Sequence, residues 1–430
     1  SRVRPACSGP AISFDAAAEA ANGQKMSPDT RIHSEAGPRY LDREALARAL
    51  PASRADTLTT FALFEQVLPQ LVVPQRAELN PPLWELGHIG WFQEWWLARN
   101  PQRLLGAAAD PLVARTLGVR AGADALYNSS AVPHDSRWAL PLPDAAATRA
   151  DLAAQLSRTL ELLADAPQGD DALYFYRWSL FHEDMHHEAA VYMAQGLGVP
   201  ITDPRWQPAP LPPPAGDLAL AGGPHRLGHA GAGFAFDNEL AAHDTHLAPF
   251  RIDQQARRWA AFLPFVEAGG YAEPRWWTAA GRAWLAQTQA AAPRYLRRSG
   301  RAWQQWRHGR WTDLDPALPA CHLTQHEALA WCAWAGRRLP TEAEWEAAAL
   351  QRPEAFRWGD VWEWTASTFA PYPGFRPHPY RDYSAPWFDG RPVLRGASFA
   401  TQPRMRWPRY RNYFPAERND IFAGLRSCAP

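Results

Sequence analysis

The chain is short of cysteine, has no excess charge of either sign, and lacks any long apolar run. Its four cysteines, Cys7, Cys321, Cys332 and Cys428, are scattered without CxxC spacing. That argues against a disulfide framework or a thiolate zinc site and fits free thiols in a reducing cytoplasm. Lysine plus arginine and aspartate plus glutamate number 44 each. A neutral chain lacks the electrostatic footprint of a general nucleic-acid binder, so no nucleic-acid partner is expected. No apolar stretch reaches membrane-spanning length, so no membrane partner is expected either. Ser1 to Asp15 carry Arg2, Arg4 and Asp15 but no continuous apolar segment, which predicts no secretory signal and a cytoplasmic location.

Hydrophobic residues make up 47% of the 430 positions and charged residues 20%, enough for a well-buried core in two or three domains. Tryptophan is abundant, at 22 residues. Most of these serve packing, and two or three around one pocket would hold a quaternary ammonium by cation–π attraction. Residues 1–40 have weak periodicity and read as a flexible or loosely docked arm. Helical periodicity then runs over Arg43 to Leu50, Ser53 to Leu71, Leu83 to Arg99, Ala145 to Ala164 and Ala172 to Gly196. This predicts a four-helix bundle over 41–199. Its long connection, 110–140, is of a kind that often carries function. A proline-rich stretch, 200–223, reads as a linker. Beyond it, short strand-like runs, turn residues and two helices (Gln254 to Gly269 and Thr324 to Gly336) predict an irregular α+β domain over 224–430.

The chemistry concentrates in His182-Glu183-Asp184-Met185-His186-His187-Glu188-Ala189. On a helix, His182 and His186 project from one face and can grip one metal ion. His88, in the Trp-rich helical segment Leu83-Trp84-Glu85-Leu86-Gly87-His88, supplies a third imidazole from another helix. The same residues also satisfy HExxH, the zinc-peptidase motif with Glu183 as general base. The extended peptidase form requires Gly at 189 and His at 192, where this chain has Ala189 and Tyr192. Taken alone, a histidine pair four apart is more often polar packing than ligation. A lectin-like binding protein without catalysis therefore stands as the non-enzymatic alternative, to be discriminated by iron content and O2 uptake.

Larger strings carry a resemblance. Residues 224–430 resemble the formylglycine-generating-enzyme/sulfatase-modifying-factor fold, a C-type-lectin-like domain. The matching strings are Phe236-Asp237-Asn238-Glu239, Gly336-Arg337-Arg338-Leu339-Pro340-Thr341-Glu342, Val361-Trp362-Glu363-Trp364-Thr365, Val393-Leu394-Arg395-Gly396 and Phe422-Ala423-Gly424-Leu425-Arg426. Residues 42–196 resemble a DinB-like helical bundle, whose His-x3-His-x-Glu motif falls on His182, His186 and Glu188, with His88 as third ligand. The combination resembles the non-haem iron sulfoxide synthases of ergothioneine and ovothiol biosynthesis. The resemblance implies Fe(II) held by three neutral histidines, with open positions for O2 as co-substrate and for a thiolate. Glu188 would orient an imidazole from behind. His187 points about 100° away from His186 on a helix and is not expected to be a ligand.

The same resemblance assigns Tyr380 as the proton donor beside the iron, and Tyr383, three residues on, as a substrate contact. In the family an Asn holds hercynine, the trimethylated histidine substrate. That role carries over to Asn412, with Tyr413 in place of a Trp and Phe414 in place of an acidic residue. Relatives that use γ-glutamylcysteine have an arginine pair for its carboxylates. Here the matching region, which includes Tyr127, offers only Arg137. Met185 stands where some relatives have a glutamine that touches substrate. Missing charges suit a donor with hydroxyls, and the chain most resembles the selenoneine-forming branch. That branch joins hercynine to a 1-selenosugar and releases selenoneine after loss of the sugar. A sulfur enzyme using cysteine or γ-glutamylcysteine, or an ovothiol-type enzyme, remains the alternative. The active site is expected between the two domains.

Overall fold

Asp42 accepts a hydrogen bond from the Ala45 backbone N–H and so starts α1, Arg43–Val67, in a computed structural model that describes residues 37–430. The arm expected over 1–40 falls almost wholly outside the described residues. The separate helices expected on either side of Pro51 are one. A proline inside a helix costs about 3 kcal/mol. Burial of Leu46, Leu50, Phe61 and Phe64 on both sides outweighs that cost. The helix ends at Val67, short of Leu71, because Leu68 precedes Pro69 and takes an extended conformation, φ −102° and ψ 110°.

α2, Pro82–Trp96, has proline at its first position and buries nearly every residue, including His88. Two glycines set its packing distance. A Cβ on Gly87 would lie 2.3 Å from the Tyr127 ring, and one on Gly90 would lie 2.1 Å from Gln155. After the short α3, Ala123–Tyr127, come α4, Ala145–Ala164, and α5, Asp170–Leu197, which Gly198 ends at φ +76°. α1 packs on α4 and α5, and α2 on the same two helices, giving the expected helical bundle. Among the described residues, no helix is long and apolar enough to cross a membrane.

The second domain starts earlier than the linker expectation placed it. β1, Asp217–Leu220, and β2, Gly223–Leu227, both begin inside 200–223. β3, His243–Leu247, pairs with β2, and β4, Phe250–Asp253, pairs with β1. The proline-rich text is thus a connection only up to the point where backbone pairing takes over. α6, Trp259–Glu267, and α7, Ala279–Thr288, lead to a three-stranded sheet of β5, Leu296–Ser299, β6, Ala302–Arg307, and β7, Arg310–Asp313. α8, Gln325–Trp334, and α9, Glu342–Gln351, both start with a capping box. The main sheet has the order β10-β9-β8-β11, from β8, Val361–Thr368, β9, Pro392–Ala397, β10, Asn412–Tyr413, and β11, Ala423–Leu425. Fully buried ion pairs tie its strands together, Arg426–Glu363, and fasten it to α9, Arg395–Glu346.

One face of α5 fastens the two domains. Glu188 accepts hydrogen bonds from Trp362 Nε1 (2.8 Å), Ser398 Oγ (2.5 Å) and Thr401 Oγ1 (2.7 Å). One turn earlier, Asp184 accepts two from Arg404, at 2.7 Å each, and one from Ser53 at 2.7 Å. Replacing Glu188 by Ala strands three buried donors, each costing about 1–3 kcal/mol when unpaired. We expect Glu188→Ala to destabilise the protein by about 3 kcal/mol or more in urea unfolding. A loss below about 0.5 kcal/mol, the level of an ordinary surface change, would contradict the fastening role.

Candidate metal centre

Because α2 and α5 cross with His88 facing His182 and His186, three imidazoles meet. Their ring centroids are 5.0 Å (His88–His182), 4.9 Å (His88–His186) and 4.4 Å (His182–His186) apart. One nitrogen from each lies within 4.8 Å of the others, a grouping able to hold a metal ion. His88 donates from Nδ1 to the Tyr127 carbonyl at 2.8 Å. His186 engages the Glu85 carboxylate through Nδ1. Both arrangements leave Nε2 for a ligand, the pattern by which a backbone carbonyl or carboxylate behind a histidine selects its tautomer. His186 Nε2 and His182 Nε2 are 3.2 Å apart. His182 is held instead by stacking on Phe92, 3.6 Å between centroids and 7° between planes, and its Nδ1 has no hydrogen-bond partner.

The electrostatics match this geometry. Burial lowers His88 to about 3 and His182 well below 6.5, so both are neutral with a free lone pair at physiological pH. Burial alone would raise Glu85. His186, His88 and the amide of Asn80 (2.5 Å) outweigh it and hold the carboxylate down at about 2. Three imidazoles backed by one carboxylate make a donor set suited to Fe(II).

Of the other residues expected from the sequence, Tyr380 and Tyr383 reach this region from the second domain. Tyr380 packs edge-on against Phe92 (5.2 Å) and Trp178 (5.6 Å), and its hydroxyl lies 3.4 Å from Ser129 Oγ. Burial raises its pKa, so it is a protonated phenol. Tyr383 stacks on Phe236 at 4.6 Å, and its hydroxyl is 3.3 Å from that of Tyr410. Tyr410 donates to the sulfur of Met185 at 3.4 Å. Met185 therefore sits between the histidine turn of α5 and the tyrosines.

The other expected residues have the following surroundings. Glu188 orients no imidazole, because its carboxylate points away from the histidines into the second domain. Tyr127 serves His88 through its backbone carbonyl, while its side chain is buried against Gly87. Tyr413 stacks on Phe369 at 4.1 Å and donates to the Tyr383 carbonyl, so it braces the tyrosine loop. Arg137 is turned onto Trp84 and Asn80, which occupy its guanidinium. Asn412 uses its side-chain oxygen to accept its neighbour's N–H, and Phe414 lies under Arg418. Glu183 is paired with Arg54 at 2.8 Å and buried, which removes the base a zinc peptidase would need. His187 faces Thr60, at 3.0 Å, as its helical angle predicts. Glu85, Asn80, Phe92 and Tyr410 were missed. Glu85 lies one turn before His88 on the same helix face, and that spacing was readable.

The comparisons with known proteins fit this arrangement. The sulfatase-modifying factor enzyme 1-like domain family matches residues 203–360. The hercynine oxygenase of Mycolicibacterium smegmatis is 32% identical over 445 residues, covering 89% of this chain and 98% of that protein. The hercynine oxygenase of Mycobacterium tuberculosis is also 32% identical, covering 89% of this chain and 98% of that protein. A formylglycine-generating enzyme of Streptomyces coelicolor is 34% identical over 160 residues, 34% of this chain and 51% of that enzyme.

The lowered values of His88 and His182 fix a sign. At pH 6.5, far above the value of about 3 for His88 and with His182 held well below its ordinary value, these two ligands carry no proton for a metal to displace. Metal uptake at pH 6.5 should therefore release at most about one proton, measured by titration in weakly buffered solution. Release of two or more would mean that the buried imidazoles are charged in the metal-free protein.

Proposed function

The chain belongs to the family of hercynine oxygenases, the ergothioneine-type non-haem iron sulfoxide synthases, and from that membership we propose that it is a selenoneine synthase. It would act on hercynine with a 1-selenosugar and O2. The ring C–H and the donor's Se–H would be replaced by a C–Se bond, with O2 as oxidant. One oxygen atom leaves as water with the two hydrogens and the other is left on selenium as a selenoxide. Hydrolytic loss of the sugar, followed by reduction by the added reductant, gives selenoneine. The observation that carries the metal-dependent reading is the cluster of His88, His182 and His186 with their Nε2 atoms converging. These residues would hold Fe(II), which supplies one-electron and O2 chemistry when bound.

The chain's own residues have distinct parts. Tyr380 holds a proton on its phenol, next to Ser129, and delivers it at the reacting centre. Phe92 and Trp178 enclose that phenol and exclude water. Tyr383 and Met185 line the hercynine side, with Asn412 as the polar contact carried over from the family. The aromatic surroundings suit a trimethylammonium group. Ser129 sets a hydroxyl beside Tyr380, and Arg137, the arginine of that segment, is turned onto Trp84, which favours a sugar over a dicarboxylate.

The second reading is a cysteine-derived thiol as donor, acting on the same hercynine that names the full-length relatives. A donor competition separates the two. Protein, Fe(II), reductant, hercynine and O2 are given a 1-selenosugar, γ-glutamylcysteine or cysteine, and the imidazole adduct is read by mass spectrometry. We expect the selenium adduct to form at least tenfold faster, about 1.4 kcal/mol of discrimination. A dominant sulfur adduct would return the enzyme to the thiol branch. Tyr380→Phe should lower the yield of coupled product by about 10²-fold, at the low end for loss of a positioned proton donor, with metal content unchanged. An unchanged yield would remove Tyr380 from the reaction.

A further inference from the structure

Arg137 is the single arginine in the segment where a donor clamp was expected, and its guanidinium is engaged elsewhere. Nη1 donates to Asn80 Oδ1 at 2.9 Å. The Asn80 amide then donates from Nδ2 to Glu85 Oε1 at 2.5 Å. The other Glu85 oxygen takes the Nδ1 proton of His186. On its flat face, the guanidinium carbon lies 3.8 Å from the centroid of Trp84. Trp84 stacks in turn on the His88 ring, 4.7 Å away and 9° from parallel.

We propose that Arg137 is a positioning residue for the metal centre, holding His186 through Asn80 and Glu85 and holding His88 through Trp84. The inference rests on the reading of the three histidines as metal ligands.

The chemistry of each link dictates the next. A guanidinium has only donors, so it orients the Asn80 amide with its oxygen toward Arg137. The amide nitrogen is thereby aimed at Glu85. The ionised carboxylate has only acceptors, so it requires the proton on His186 Nδ1 and leaves the Nε2 lone pair free. Arginine's planar guanidinium can donate at its edge while it stacks on an indole at its face, which the ammonium of lysine cannot do. It thus ties ligands on α2 and α5 to the connection between α3 and α4. The segment of missing donor charges has kept one arginine for a different task.

The test uses the full chain and Co(II) alone as probe, titrated anaerobically and read by the visible absorption of the bound ion. Arg137→Ala should weaken Co(II) binding by 10- to 100-fold, the usual effect of removing a partner behind a ligand. At saturating Fe(II), the KM for the donor the enzyme turns over should stay within about twofold of wild type. Asn80→Ala, a smaller change, should reproduce the weakening and serves if Arg137→Ala fails to fold. The double variant should be no worse than the weaker-binding single, since both cut one chain. Arg137→Lys keeps the charge but loses the planar stack and should not restore binding. Unchanged Co(II) affinity with a tenfold rise in donor KM would overturn the proposal and make Arg137 a donor clamp. Additive losses in the double variant would also overturn it. Failure of the underlying reading looks different: wild type and His182→Ala would then bind Co(II) equally.

Discussion

The hydrogen bonds that Glu188 accepts from Trp362, Ser398 and Thr401 set the position of everything else. They hold one face of α5 against the second domain, and Asp184 extends the same fastening toward Arg404. Helical periodicity places His182 and His186 on another face of the same turns. The helix that carries two metal-ligand candidates is therefore also the helix that registers the domains. Tyr380 and Tyr383, which the second domain contributes, are brought by that register against Phe92 and Trp178, which pack on His182.

Two buried glutamates show how environment divides roles. Glu85 lies against His186 and Asn80, and is pulled down to about 2 in spite of burial. Glu188 meets only neutral donors, and burial raises it. The first gives the three imidazoles an anionic backing, which offsets part of the charge of a divalent ion. The second fastens the domains through the number of its hydrogen bonds rather than through an ion pair. A site of this kind keeps its ligands deprotonated by desolvation, so it is ready for a metal without first shedding protons from His88 and His182.

The three histidines were legible in the sequence because spacing on one helix and a single additional histidine in a helical, aromatic segment suffice to suggest them. α4 was legible to the residue, since its apolar stripe is regular and Asp144 caps it. α9 was missed although Thr341 and Glu344 spell a capping box. The break expected at Pro51 failed because local propensity yields to burial along both sides of α1. The imidazole-orienting role expected of Glu188 failed for a different reason. Sequence spacing shows which face of a helix a side chain leaves, but not which of two domains covers that face. Glu85 was within reach of the same reasoning that found His88, and only the crossing of α2 and α5 reveals that its partner is His186.

The most direct test of the account is iron K-edge X-ray absorption on the Fe(II)-loaded protein with hercynine, oxygen excluded, before and after adding the selenium donor. The account predicts the multiple scattering of about three imidazoles, as expected of a three-histidine iron site, and a selenium neighbour that enters with the donor. Iron ringed by oxygen ligands without imidazole, or a spectrum that His182→Ala leaves unchanged, would contradict it.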